Sequence, residues 1–140
     1  MSLEKELASR DYLYGRLLAL AEYLEEVALR IGNEKRPTNV ARLMQHFADK
    51  PYSTWRTLEL QLQPYKNRLK TSRGGFLYNI ETELDAVMAL FKPEEFTSAA
   101  KLSGEFLLGY HCQRAALKQK SSSLADSQES TEETHSQDNF

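Results

Sequence analysis

Residues 9–31 read Ser9-Arg10-Asp11-Tyr12-Leu13-Tyr14-Gly15-Arg16-Leu17-Leu18-Ala19-Leu20-Ala21-Glu22-Tyr23-Leu24-Glu25-Glu26-Val27-Ala28-Leu29-Arg30-Ile31. Leu13, Leu17, Leu20, Leu24, Val27 and Ile31 recur at alternating steps of four and three. That spacing lays an apolar seam along one side of a helix and points it at other helices. Arg10, Arg16, Glu22, Glu25, Glu26 and Arg30 lie mostly off the seam. Gly32-Asn33 supplies a C-terminal stop. At 1.5 Å per residue the helix is about 35 Å long.

Working outward, the same period continues. A shorter helix is predicted from a Thr38 or Asn39 cap to just before Pro51, with Val40, Leu43, Met44 and Phe47 as its stripe. A third starts after Pro51, capped by Ser53 or Thr54, with Trp55, Leu58, Leu62, Tyr65 and Leu69 on its seam. That seam runs through Pro64, which lacks a backbone donor, so a kink or a fresh helix is expected there. Gly74-Gly75 ends the unit. A fourth helix is expected over 76–91, closed by Lys92-Pro93, and a fifth over 103–120 with Phe106, Tyr110, Cys112 and Leu117 inward. Residues 94–102 read as a linker with room for one short turn. No strand pattern and no internal repeat occur. The fold class is therefore all-α, a helical bundle of four long helices and one short one.

The chain has 140 residues, so one domain is the prior. No apolar run approaches the roughly 20 residues that span a bilayer, and the charged N-terminus carries no signal-peptide core. The single cysteine, Cys112, excludes an internal disulfide and a Cys-rich zinc site. A cytoplasmic, reduced protein is the expectation. After residue 120 the composition shifts to Ser, Thr, Gln and five acids with no Lys or Arg. Such a segment buries too little to offset its ordering entropy. The expected organisation is a bundle over 1–120 and a disordered acidic tail over 121–140.

Reaction chemistry finds little footing. His46, His111 and His135 make no metal-ligand pattern, and adjacent His111 and Cys112 point about 100° apart on a helix. Cys112 reads as a small buried residue. Glu81, Glu83 and Asp85 fall on different sides of their helix and read as a solvated face. Gly74-Gly75 lacks the strand, the Lys and the spacing of a phosphate loop. No catalytic residue, metal or cofactor is expected.

The net charge of −2 conceals a basic interior stretch. Residues 30–73 carry ten Lys and Arg against Glu34, Asp49 and Glu59. Cations at a helix C-terminus complement its dipole, which accounts for Lys66, Arg68 and Lys70 without any ligand. It does not account for Lys35, Arg36, Arg42 and Arg56 in the same stretch. If the second and third helices pair, these side chains can share a face suited to a phosphate backbone. The candidate nucleic-acid contacts are Lys35, Arg36, Arg42, Arg56, Lys66, Arg68, Lys70 and Arg73. An acidic protein partner and an unliganded solvated face are the competing readings. Of the interleaved aromatics, Trp55 and Tyr65 sit on the apolar seam, and Tyr52 is the freer candidate for stacking.

Three blocks then resemble a known family. The run Leu102-Ser103-Gly104-Glu105-Phe106-Leu107-Leu108-Gly109-Tyr110-His111-Cys112-Gln113-Arg114 is very similar to the C-terminal signature of the large subunit of the type I-C CRISPR Cascade complex. Arg10 through Ala19 resembles the start of that region. Asn39 through Leu69, with Pro51-Tyr52-Ser53-Thr54-Trp55 and Gln63-Pro64-Tyr65, resembles its middle. The likeness spans about residues 10–118.

The resemblance implies a small subunit made as a separate chain from an internal start in the large-subunit gene. It implies a noncatalytic prokaryotic subunit, in more than one copy, beside the backbone and large subunits of a crRNA-containing complex. Its implied task is to hold unwound target DNA while the guide pairs. The alternative is a protein–protein spacer that never touches nucleic acid.

Overall fold

The Ser9 hydroxyl accepts from the Tyr12 amide and starts α1, Arg10–Ile31. The computed structural model describes residues 9–131, with side chains described for 9–119. The chain continues through α2 (Asn39–Asp49), α3 (Pro51–Ser72), α4 (Gly74–Met88), the single turn α5 (Pro93–Phe96) and α6 (Glu105–Thr131). Among the described residues every regular element is a helix. Four long helices, the shorter α2 and one extra turn match the expected all-α bundle.

α1 ends where the sequence placed its stop, though the left-handed residue is Asn33, at φ 56°, rather than Gly32. The Glu34 amide donates to the Leu29 carbonyl at 2.9 Å and the Asn33 amide to that of Arg30 at 3.0 Å. This pair of bonds is the Schellman closure, and an Asn tolerates the left-handed conformation. Thr38 caps α2 through the Ala41 amide, as expected.

α1 is the central helix and packs against α2, α3, α4 and α6. It is therefore buried on almost every side from Tyr12 to Glu22, not along one seam. Arg16, Glu22 and Glu25, expected off the seam, are interior. Ile31, expected inward, lies half-exposed at the helix end. Leu58, Leu62 and Leu69 from α3, Phe76 and Ile80 from α4, and Phe106 and Leu117 from α6 complete the core with Val40 and Phe47 of α2. Cys112 is buried as expected.

The widest helix pairing joins α1 to α6. A Cβ added at Gly15 would sit 1.9 Å from the Phe106 carbonyl oxygen, and one at Gly109 would sit 2.1 Å from that of Tyr12. Gly15 faces the Phe106 and Tyr110 backbone and Gly109 faces that of Tyr12, so the two helices approach where side chains would hold them apart. Glycine inside a helix costs about 1 kcal/mol relative to alanine, and close packing along the whole crossing offsets it.

Several boundaries differ from expectation. Pro51, not Ser53 or Thr54, opens α3, because a proline at the first helical position forfeits only an amide that has no partner anyway. Thr54 instead donates to the His46 carbonyl. Pro64 starts no new helix, and α3 runs through it. Pro64 and Leu60 are both exposed, so the carbonyl that Pro64 leaves without a donor can meet water. Gly74 and Gly75 belong to the first turn of α4, which ends at Met88 rather than at 91. The backbone of α6 stays helical to Thr131, past the expected boundary at 120. The side chains of the expected acidic tail, 121–140, and the whole of residues 132–140, His135 included, lie outside the described residues.

Candidate nucleic-acid interface

The eight candidate cations divide by what holds them. The Schellman turn places Glu34 beside α3. Arg68 donates to its carboxylate at 3.1 Å and to the Ala28 carbonyl at 2.9 Å. A Cβ at Gly32 would meet that guanidinium at 2.4 Å. Arg68 thus caps the C-terminus of α1, the negative end of its dipole. Arg36 lies 3.8 Å from Glu34 and 3.6 Å from Glu25. Both guanidiniums stack on Tyr65, at 5.2 Å for Arg36 and 5.5 Å for Arg68.

Arg56 leans on Glu59, one turn away, and donates to the Tyr52 hydroxyl. Lys66 reaches Glu81 of α4 at 3.4 Å. Arg73 lies over the Phe76 ring. The Arg42 guanidinium donates to Asn39 of its own helix. Lys35, Arg42 and Lys70 are exposed, and no acid among the described residues bridges them.

The α2–α3 pairing that would gather a common basic face does form. The cations nevertheless separate into distinct settings. Arg36 and Arg68 meet on Tyr65, Lys66 and Lys70 line the cleft between α3 and α4, and Arg56 stays on the flank of its own helix. The acids that claim them, Glu34 and Glu81, are inconspicuous in sequence because each lies on another element.

The aromatic expectation also shifts. Tyr52 is not free, because its ring packs edge-on to Phe96 at 5.3 Å and carries Arg56. Trp55 is 3% exposed, and Tyr65 is covered by the two arginines. The open ring is Tyr78 of α4, 71% exposed, which the charge pattern does not single out. The fold sets Tyr78 across a cleft from Gln63, Lys66, Asn67 and Lys70 of α3, a juxtaposition of two helices that the sequence alone does not signal.

A second polar region lies between α1 and α6. Arg114 grips Glu26 at 3.0 Å and stands 3.7 Å from Glu22. Glu22 also accepts from the hydroxyls of Tyr110 and Thr38. Burial pushes the Arg114 guanidinium down, but Glu26 and Glu22 more than reverse it. Arg16, buried, donates to Gln113 at 2.8 Å, and desolvation lowers its pKa. Glu25 accepts from the Asn39 amide at 2.7 Å and from that of Val40. Burial raises its carboxyl above the ordinary value despite those two amides and Arg36. These groups knit helices together.

Among the described residues no three His, Cys, Asp or Glu side chains are grouped to hold a metal ion. No described helix is long and apolar enough to cross a membrane. Such a frame, with internal ion pairs fastening its helices and a few cations outside that no described acid bridges, is an all-α bundle. The model of the family described as CRISPR-associated protein (Cas_Csd1) matches residues 1–118, and the chain belongs to that family. It is a CRISPR-associated component of the type I-C Cascade. The match covers all three blocks that carried the resemblance, which is borne out. No curated protein matches the sequence.

Proposed function

We propose that this bundle is a noncatalytic small subunit that supports target DNA in the RNA-guided complex by holding sugar-phosphate chains through its exposed cations. The observation that carries the reading is the state of Lys35, Arg42 and Lys70, exposed and bridged to no described acid. Guide pairing reads the sequence, so the protein needs only shape and charge. Exchanging a DNA duplex for an RNA–DNA hybrid is nearly balanced, and a few phosphate contacts tip it. In this reading the neighbours are the backbone and large subunits and the bound guide, with more than one copy of the bundle along the strand.

The test is the salt dependence of single-stranded DNA binding by the full chain. Replacing Lys35, Arg42 and Lys70 with Ala lowers the slope of log affinity against log salt by about 0.7 for each phosphate that is no longer neutralised. An unchanged slope overturns the assignment.

The spacer reading has its own support. Arg36, Arg68, Arg56 and Lys66 are all spent on acids of this chain, which leaves fewer cations for DNA than the sequence implied. Crosslinks from the assembled complex to protein alone would favour it.

A further inference from the structure

We propose that the cleft between α3 and α4 is a stacking site for an unpaired nucleobase, with the Tyr78 ring as its platform. The proposal rests on the DNA-supporting reading above and adds to it a preference for single strands. Gln63, Lys66, Asn67 and Lys70 recur at i, i+3, i+4 and i+7 on α3, and with Tyr78 and Glu81 of α4 they line an open cleft of about 320 Å³. That is the lower end of the size range of ligand clefts. Tyr78 is 71% exposed and pairs with no other ring among the described residues, whereas Tyr14, Tyr52, Phe47, Phe91 and Phe96 pack on one another. A methyl group at Gly74 would meet nothing within 4 Å, so the cleft is unobstructed there.

The lining supplies each part that an unpaired nucleotide needs. A ring with a bare face accepts a base of any identity by stacking. The Gln63 and Asn67 amides both donate and accept, so they can meet a base edge. Exposed Lys70 takes the phosphate. Glu81 holds Lys66 at 3.4 Å and repels phosphate from its own end of the cleft, so the strand enters with its backbone on the Lys70 side. A duplex hides its base faces in its own stack and has nothing to place on a single tyrosine.

The experiment measures the affinity of the full chain for three probes of equal length: oligo-dT, an abasic strand, and duplex DNA. The Tyr78→Ala, Tyr78→Phe, Glu81→Gln and Lys70→Ala variants are compared with the parent. Stacking predicts that oligo-dT binds at least about fivefold more tightly than the abasic strand. Tyr78→Ala removes that advantage without changing the salt slope, Tyr78→Phe keeps it, and duplex binding is unmoved by either. Glu81→Gln tightens oligo-dT binding. Equal affinity for oligo-dT and abasic strands, or a Tyr78→Ala variant that still tells them apart, overturns the stacking site. In that event a salt slope that still falls with Lys70→Ala leaves the backbone-holding reading standing. If no probe binds the parent chain, both fail. Melting curves of the Tyr78 variants should match the parent, because the ring is exposed.

Discussion

The α1–α6 crossing and the α2–α3–α4 side use the same charged residue types for opposite ends. At the crossing, buried Arg16 and half-buried Arg114 are matched to Gln113 and to Glu22 and Glu26, some ninety residues away in sequence. On the other side, Lys35, Arg42 and Lys70 are exposed and have no acid partner among the described residues. Two further cations there, Arg36 and Arg68, behave like those of the crossing, because a turn in the backbone brings Glu34 to them. A count of Lys and Arg therefore measures neither stability nor binding until each cation has been traced to what holds it.

The largest expected effect lies at the crossing. Gly15→Ala places a methyl group against the Phe106 carbonyl, where backbone rather than a flexible side chain must move. Overpacking a fitted interior costs about 1–3 kcal/mol or somewhat more, a fall in melting temperature of several degrees by thermal unfolding. A Gly15→Ala chain as stable as the parent would break the account of the crossing. Gln113→Ala comes next. It leaves the buried Arg16 guanidinium without the acceptor of its Nε–H, and losing a hydrogen bond to a charged group costs about 1.5–3 kcal/mol. The denaturant midpoint should drop with an unchanged slope. Lys70→Ala, by contrast, should leave the midpoint where it is.

The Glu25 carboxyl sharpens the comparison through pH. Its pKa is raised in the folded chain, so the folded state holds the proton more tightly than the unfolded one. Its contribution to stability is then fully present below the ordinary carboxylate range and is lost as pH rises through the raised value. A carbon-13 titration of Glu25 should show a midpoint above the ordinary glutamate range. A midpoint below it would mean that the Asn39 and Val40 amides and Arg36 outweigh burial. Gly75→Ala, in the first turn of α4, should act in the opposite direction. Nothing crowds that position and φ is not positive, so removing the extra freedom of glycine from the unfolded chain should give a gain of about 0.4–1 kcal/mol.

The helices were legible because their signals are local. Thr38 caps where it was expected to, the Gly32-Asn33 stop holds, and the stripe of α2 faces inward. The all-round burial of α1 was not legible. Arg16 and Glu22 lie off the leucine seam and look ready for water until α6 covers them. The glycines gave a clue. A Gly in mid-helix, at 15 and again at 109, is unfavourable without a packing reason, and each has the opposite helix's backbone as its reason. At the candidate interface the sequence located the basic stretch but not its division, since that depends on Glu34 and Glu81 arriving from other elements. Tyr52 looked free because Phe96, its covering ring, lies beyond the fourth helix in the linker.

The central claim, that the unbridged cations of the 35–70 stretch hold DNA, is tested most directly by photocrosslinking in an assembled, target-loaded complex, with crosslinkers placed at positions 35, 42 and 70. The account predicts adducts to a DNA strand at these positions and none to DNA from position 16 in the enclosed crossing. Adducts to protein subunits alone at all three surface positions would contradict it.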